Sequence, residues 1–217
     1  MADQQAPKKF NKIKYIDQFK RSNNYRPSEY EYEKIDEFPF ELYAFNEILI
    51  SPQYVHLYFD FDKITSIDEY DSVIVWLNSL ICVFGNYTIG GYTNNEELST
   101  KTGLKLIPET DHFCSIHAIY YETMIQSIDL CMIMKHTEKK GFHYPEVHKL
   151  CDPNVYKIVP RIPTQTTRQV FRHVLSPKIY GENDPRNKEI RGNLIKDAKP
   201  SQHIVQIRGD ERLITQE

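Results

Sequence analysis

Tyr54-Val55-His56-Leu57-Tyr58-Phe59-Asp60-Phe61-Asp62 alternates without a break, placing Val55, Leu57, Phe59 and Phe61 on one face of an extended chain and His56, Tyr58, Asp60 and Asp62 on the other. One face belongs to a core; the other ends in two carboxylates. Directly downstream, Ser66 with Glu69 three residues on forms a capping box, and Ile67, Tyr70, Ile74, Leu77, Ile81 and Phe84 recur at helical spacing as far as Gly85. This spacing predicts a helix of about five turns. Tyr87 to Tyr92 reads as a short strand and Asn94 to Thr102 as a polar loop of the kind that touches ligands. His112 to Tyr121 reads as a further strand, with Cys114, Ile116, Ala118 and Tyr120 on one face and Phe113, Ser115, His117 and Ile119 on the other. A second helix follows from about Thr123, with Ile125, Ile128 and Met132 as its apolar stripe, Lys135, His136, Lys139 and Lys140 near its end and Gly141 as its stop. Beyond Asp152-Pro153 lie the β-formers Val155, Tyr156, Ile158 and Val159, then Val170 and Phe171, and His203 to Arg208 reads as a last strand. The element order indicates an α+β sheet with helices packed on one face.

A chain of 217 residues, 40% hydrophobic and 12% aromatic, is long and apolar enough to bury a core, which excludes a disordered linker. The greasiest stretch, Val73 to Phe84, contains Asn78 and Ser79 and falls short of the roughly 20 apolar residues that span a bilayer. With no apolar leader in its first residues, the chain is read as intracellular and not membrane-bound. Cys82, Cys114, Cys131 and Cys151 stand singly, so reduced, mostly buried thiols are expected. His143, His148 and Cys151 have a spacing that could supply three ligands to zinc, although such residues near a loop more often serve packing.

The net charge of −3 hides an uneven distribution. Residues 1–26 hold Lys8, Lys9, Lys12, Lys14, Lys20, Arg21 and Arg26 against Asp3 and Asp17, and read as a flexible basic arm suited to phosphates. Glu29, Glu31, Glu33, Asp36, Glu37 and Glu41 then form an acidic stretch, read as solvated surface. From Pro153 to Tyr180 there is no acid, while Lys157, Arg161, Arg168, Arg172 and Lys178 are basic, which suits a polyanion. Residues 27–180 are taken as the folded domain and 181–217 as a C-terminal extension that begins in the loop signal Gly181-Glu-Asn-Asp-Pro185.

Asp60 and Asp62, two apart on a strand, converge on one spot, and hard divalent cations such as Mg²⁺ or Mn²⁺ want that kind of oxygen ligand. The alternative is an Asp pair that only starts a turn. Ser115 and His117 share a face of the second strand and can hydrogen-bond phosphate oxygens; alternatively His117 is a histidine satisfied at a sheet edge. Paired acids, a Ser/His strand, a later Asp152 and an acid-free basic segment together fit nucleotidyl transfer, in which metals and basic side chains neutralise developing phosphate charge.

Four ordered motifs carry a resemblance: His-Leu-Tyr-Phe-Asp60-Phe-Asp62, Cys-Ser115-Ile-His117, Asp152-Pro-Asn-Val155-Tyr156 and Phe-Arg172-His-Val-Leu-Ser-Pro-Lys178. Over about residues 38 to 180 the chain resembles the archaeo-eukaryotic primase superfamily, and most closely the N-terminal primase domain of primase-helicases from poxviruses, other large DNA viruses and related mobile elements. The resemblance implies an RRM-like antiparallel sheet with helices packed on it, a smaller α/β module, and an active site in the cleft between. It implies that Asp60, Asp62 and Asp152 bind two Mg²⁺ or Mn²⁺ ions, that Ser115 and His117 hold the incoming nucleoside triphosphate, and that Arg172, Lys178 and Arg168 contact triphosphate or template. The implied activity is DNA primase or primase-polymerase synthesis of short primers on a single-stranded DNA template during replication of a virus or mobile element. Lys8, Lys9, Lys12, Lys14 and Arg161 would then grip nucleic acid. A replicative helicase is implied in trans or in a longer parent chain, since no Walker-type Gly-rich loop is present here. Two departures stand out: Phe113 replaces a lysine that members often carry, so that one phosphate contact is missing or is supplied by Lys105 or Lys101, and Leu175 stands where many members have glycine. The competing readings are a catalytically silent single-stranded nucleic-acid-binding module and a different two-metal enzyme such as a polymerase or nuclease.

Overall fold

The alternation at Tyr54–Asp62 is realised as strand β4 (Tyr54–Ile64), following β1 (Lys12–Asp17), β2 (Ser28–Glu31) and β3 (Phe45–Ser51); Val55, Leu57, Phe59 and Phe61 are buried. The computed structural model describes residues 12–17, 28–41, 43, 45–51, 53–140, 145–156, 167–177 and 190–207. Strand β4 pairs antiparallel with β7 (Cys114–Gln126), β7 pairs antiparallel with β5 (Thr88–Thr93), and β5 takes β6 (Lys105–Leu106) in parallel and β9 (Asn193–Leu194) antiparallel. The chain is thus α+β, with a mixed sheet and helices packed on it.

Helix α1 (Ile67–Ser79) covers the apolar face of this sheet: Trp76 meets Phe59 and Phe61 edge-on, and the Tyr120 hydroxyl donates to the Leu77 carbonyl. Its start follows the expected cap, since Ser66 Oγ accepts the Glu69 N–H at 3.2 Å. The reciprocal half is displaced by one residue, because Glu69 Oε2 takes the N–H and hydroxyl of Thr65. The helix is broken at Leu80, whose N–H turns back to the Leu77 carbonyl, and a short α2 (Ile81–Phe84) ends at Gly85 with φ 78°.

A second, wholly antiparallel sheet has the order β2-β1-β3-β8, where β8 is Thr167–Arg172. Its β1 corrects the expectation of a flexible arm over residues 12–17: Ile13 and Tyr15 alternate with Lys12 and Lys14, and Ile13 is buried while Tyr15 stacks on Phe45 at 4.9 Å. The lysines mask a period-two pattern that the core uses. Residues 1–11 and 18–27, and with them Lys8 and Lys9, lie outside the described residues. Ile35, Phe38 and Phe40 complete the core on this sheet, while the acids Glu29, Glu33, Asp36, Glu37 and Glu41 of the same stretch are exposed, as expected.

Four further expectations change. Asn94–Thr102 is not a loop: α3 (Glu96–Thr102) is capped by Asn95 Oδ1 on the Leu98 N–H and stopped by Gly103 in the left-handed region, with Leu98 pointing inward. Residues 123–126 prolong β7 against Tyr54 and Val55, so α4 (Ser127–Lys140) starts later and buries Leu130, Cys131 and Met134, leaving Met132 53% exposed. After α5 (Pro145–His148), Val155 and Tyr156 lie in a 3-10 turn, Pro153–Tyr156, because Pro153 favours a turn over a ladder. Among the described residues the expected last strand forms no ladder: a 3-10 turn, Pro200–Gln202, leads into a segment joined to β4 by an isolated bridge between Val55 and Gln206, and Arg208 lies outside the described residues. Cys114, Cys131 and Cys151 are buried free thiols, and Cys82 is exposed.

That C-terminal segment is held by Glu47 of β3. The carboxylate is fully buried and accepts the backbone N–H groups of Val205 and Gln206 at 2.8 to 3.0 Å. Burial outweighs these donors and raises the Glu47 pKa from 4.5 to about 7. The folded state therefore binds this proton more tightly than the unfolded chain, and the associated stability, about 3 kcal/mol, is present below pH 4.5 and lost as pH rises to about 7. Chemical denaturation across that range is expected to show this loss in the native chain and not in Glu47→Gln; parallel pH profiles would contradict it.

Gly91 of β5 is fixed by close approach, since a Cβ there would sit 2.2 Å from the Ser115 carbonyl oxygen. Gly91→Ala is expected to cost about 1–3 kcal/mol in a denaturation series, through a clash with rigid backbone; no loss of stability would mean that β5 and β7 are spaced otherwise.

Candidate active site

The antiparallel register of β4 and β7 sets Asp60 opposite His117, and that of β5 and β7 sets Ser115 opposite Tyr92 and His117 opposite Gly90. Directly opposed residues share a face, so Asp60, Ser115 and His117 all lie on the side of the mixed sheet away from α1. Asp152 reaches the same place from a separate segment. An isolated bridge joins Cys151 to Phe61, and the Asp152 N–H donates to the Asp60 carbonyl at 2.8 Å. Asp152 Oδ1 is fixed in turn by the N–H and side-chain amide of Asn154.

The second sheet closes over this face through Phe171 of β8, which contacts Tyr58 at 4.9 Å and His117 at 4.8 Å between ring centres. The next residue, Arg172, stands close enough to repel a proton from His117 and donates from Nη1 to the Ser176 carbonyl at 2.7 Å. The chain after Arg172 turns at Val174–Ser176 with the Ser176 N–H on the His173 carbonyl, and Leu175 needs no positive φ there. Leu175 in place of glycine is thus accommodated.

Asp60, Asp62, Asp152, Ser115, His117 and Arg172 are therefore brought to one seam between the sheets. Arg168 lies on β8 opposite Ile50, and Lys12 and Lys14 lie on β1 opposite Glu31 and Glu29. Lys178 and Arg161 fall outside the described residues. Of the two lysines that could replace the contact absent at Phe113, Lys101 is engaged with Asp71 at 2.7 Å, whereas Lys105 pairs with Tyr92 in the row that continues to Ser115. Lys105 is the better placed.

Electrostatics at the seam are dominated by burial. Desolvation, and next the charge of Asp152, raise the Asp62 pKa, and Asp62 Oδ1 is buried with no hydrogen-bond partner among the described residues. Among the described residues no group of three or more His, Cys, Asp or Glu side chains is arranged to hold a metal ion. The donor chemistry nevertheless suits a hard divalent cation: carboxylate oxygens from two segments, one of them buried and unpartnered. For zinc the fit is poorer, since burial holds the Cys151 thiol far up and protonated, and His143 lies outside the described residues.

Sequence reasoning missed two histidines. His203 stands parallel to His117, 5° between planes and 6.4 Å between centres, with Nδ1 2.8 Å from the Thr88 hydroxyl. His173 meets His203 edge-on and stacks on Phe40. Nothing local in the sequence marks either, because their burial is created by the meeting of the two sheets. His117 Nε2 is 3.5 Å from Asp60 Oδ1, too long for a firm hydrogen bond, and burial keeps the ring neutral, so the two do not form an ion pair. His117 Nδ1 is buried without a hydrogen-bond partner among the described residues.

No family model and no curated protein matches the chain. Among the described residues, no helix is long and apolar enough to cross a membrane.

Desolvation lowers the pKa of His117, His173 and His203 well below 6.5. The unfolded chain takes up these protons first, so stability from this cluster is full above pH 6.5 and is lost as pH falls below it. In NMR of the native protein, the ring resonances of these three residues are expected not to move through pH 6.5. Ordinary titration of all three there would mean that the seam is open to water.

Proposed function

We propose that the chain is a metal-dependent nucleotidyltransferase of the primase class, making short primers on single-stranded DNA from nucleoside triphosphates. The observation that carries this reading is the convergence of Asp60, Asp62, Asp152, His117 and Arg172, which come from four segments spread over more than 100 residues, onto one seam. A turn-starting Asp pair needs no histidine opposite it and no third acid brought alongside. In this reading the mixed sheet with helices on one face is the RRM-like part of the primase fold, and the second sheet belongs to the smaller module.

Asp60, Asp62 and Asp152 would hold Mg²⁺ or Mn²⁺, which when bound stabilises the attacking and leaving oxygens of nucleotidyl transfer. Ser115 and His117 would orient the triphosphate, with Arg172, Lys105, Lys178 and Arg168 offsetting its charge, and Lys8, Lys9, Lys12, Lys14 and Arg161 would hold the template strand. Replication of a virus or mobile element, with a helicase as partner, is the setting that the motif resemblance favours.

A second reading has its own support. Ser115 and His117 are only 7% and 5% exposed, which suits a single-stranded nucleic-acid-binding module that keeps the fold without the chemistry.

Unprimed synthesis on single-stranded DNA with labelled triphosphates and Mg²⁺ or Mn²⁺ separates the two. Short products are expected from the native chain, with a loss of at least about 100-fold in Asp60→Ala, Asp62→Ala and Asp152→Ala at unchanged circular dichroism. Undiminished synthesis in all three variants would remove the metal-site assignment. Binding of DNA without any product would favour the silent module.

A further inference from the structure

At the end of the mixed sheet where β5 begins, a cavity of about 420 Å³ opens between the end of α1, α2, and the segment 195–202. That volume lies within the range of small-molecule sites. Tyr121 and Tyr87 supply aromatic walls. Tyr121 lies on the same face of β7 as His117, four residues further on, roughly 13 Å along the strand. Thr88, another wall residue, holds His203 Nδ1, so the cavity adjoins the acidic seam and is separated from it by His203.

The polar groups of the cavity are already sorted into donors and acceptors by their outer bonds. Tyr87 donates to Asn78 Oδ1, which leaves the Asn78 amide group as a donor. Gln202 Oε1 accepts the Lys199 N–H, which leaves its amide group as a donor too. Asn86 Nδ2 donates to Glu122, which leaves its carbonyl oxygen as an acceptor. Lys196 stands in the turn Ile195–Ala198 beside Asp197, both with positive φ, 55° and 54°. A two-residue turn of this kind ordinarily takes glycine or asparagine, whereas here a lysine occupies it at the cavity wall.

An apolar ligand would leave three oriented amides unpaired, and a dianion would meet one cation with an acid beside it. A planar heterocycle with both donors and acceptors on its edge, carrying one phosphate, matches the set. We propose that this cavity receives one unstacked base of a single-stranded nucleic acid, with Tyr121 against the base and Lys196 on the adjoining phosphate. The proposal rests on the nucleic-acid reading above and adds a base subsite to it.

The test is equilibrium binding of labelled homopolymer oligonucleotides and their abasic counterparts to the full chain, without triphosphate or divalent metal. The native protein is expected to bind intact strands more tightly than abasic ones, and Tyr121→Ala to weaken intact strands about tenfold while barely changing abasic ones. Gln202→Ala, which removes a wall amide together with the acceptor of the Lys199 N–H, should alter the ranking among the four bases if Tyr121→Ala proves unstable. Lys196→Gly should lower the salt slope by about one phosphate contact while its melting temperature holds or rises, a combination that a purely structural turn would not give. Equal binding of intact and abasic strands, or affinity unmoved by both Tyr121→Ala and Gln202→Ala, would overturn the subsite. Synthesis that depends on Asp60 together with such unmoved affinity would sink the subsite alone. Base-dependent binding without any synthesis would sink the primase reading and leave the subsite standing.

Discussion

The register between β4 and β7 is the constraint on which the site depends. Asp60 lies opposite His117 because Leu57 to Phe61 pair with Tyr120 to Ile116 in unbroken sequence, between two irregularities in the ladder. A slip of one residue would turn Phe59 and Phe61 away from Trp76 and send the acids into the core beneath α1, so the apolar face enforces the position of the polar one. The irregularity between Phe61 and Ile64 falls where Cys151 and Asp152 dock on the free edge of β4. There the ladder with β7 weakens and a third acid comes alongside.

Two buried ionisable systems hold the sheets together and respond to pH in opposite senses. Glu47 ties the C-terminal segment to β3 and contributes most when protonated. His117, His173 and His203 fill the seam as neutral rings and contribute most when the solution is too alkaline to charge them. Between pH 4.5 and 6.5 the stability attributable to Glu47 declines as that of the histidines gains, which flattens the dependence of the whole across the mildly acidic range.

Much of the mixed sheet is legible from local pattern. The two faces of β4, the two faces of β7 and the Ser66 cap are written in period-two alternation and a side-chain oxygen before a helix, and neither signal needs distant partners. The same rules would have found α3, since Asn95 and Gly103 bracket it with cap and stop; polarity alone misdirects that reading. Strand β1 is hidden because charged lysines alternate with Ile13 and Tyr15. For the site, the motif residues near Asp60, Ser115 and Asp152 are legible, but Glu47, His173 and His203 are not. Their burial arises only when β3, β8 and the C-terminal segment meet, and nothing within a few residues of any of them encodes that meeting.

The seam also explains why its acids are only partly buried while its histidines are fully so. A neutral imidazole can be enclosed at the cost of a hydrogen bond, whereas an enclosed carboxylate loses hydration of a full charge. Asp62 already shows the strain of half-burial beside Asp152, with a raised pKa and an oxygen without a partner. A divalent cation would offset both effects at once, drawing the pKa down and supplying the missing partner, while His117, too enclosed to be charged, would act only by hydrogen bonding. The acids are the more exposed groups of the seam and the imidazoles the more enclosed, so solvent reaches it from the side of Asp62 and Asp152.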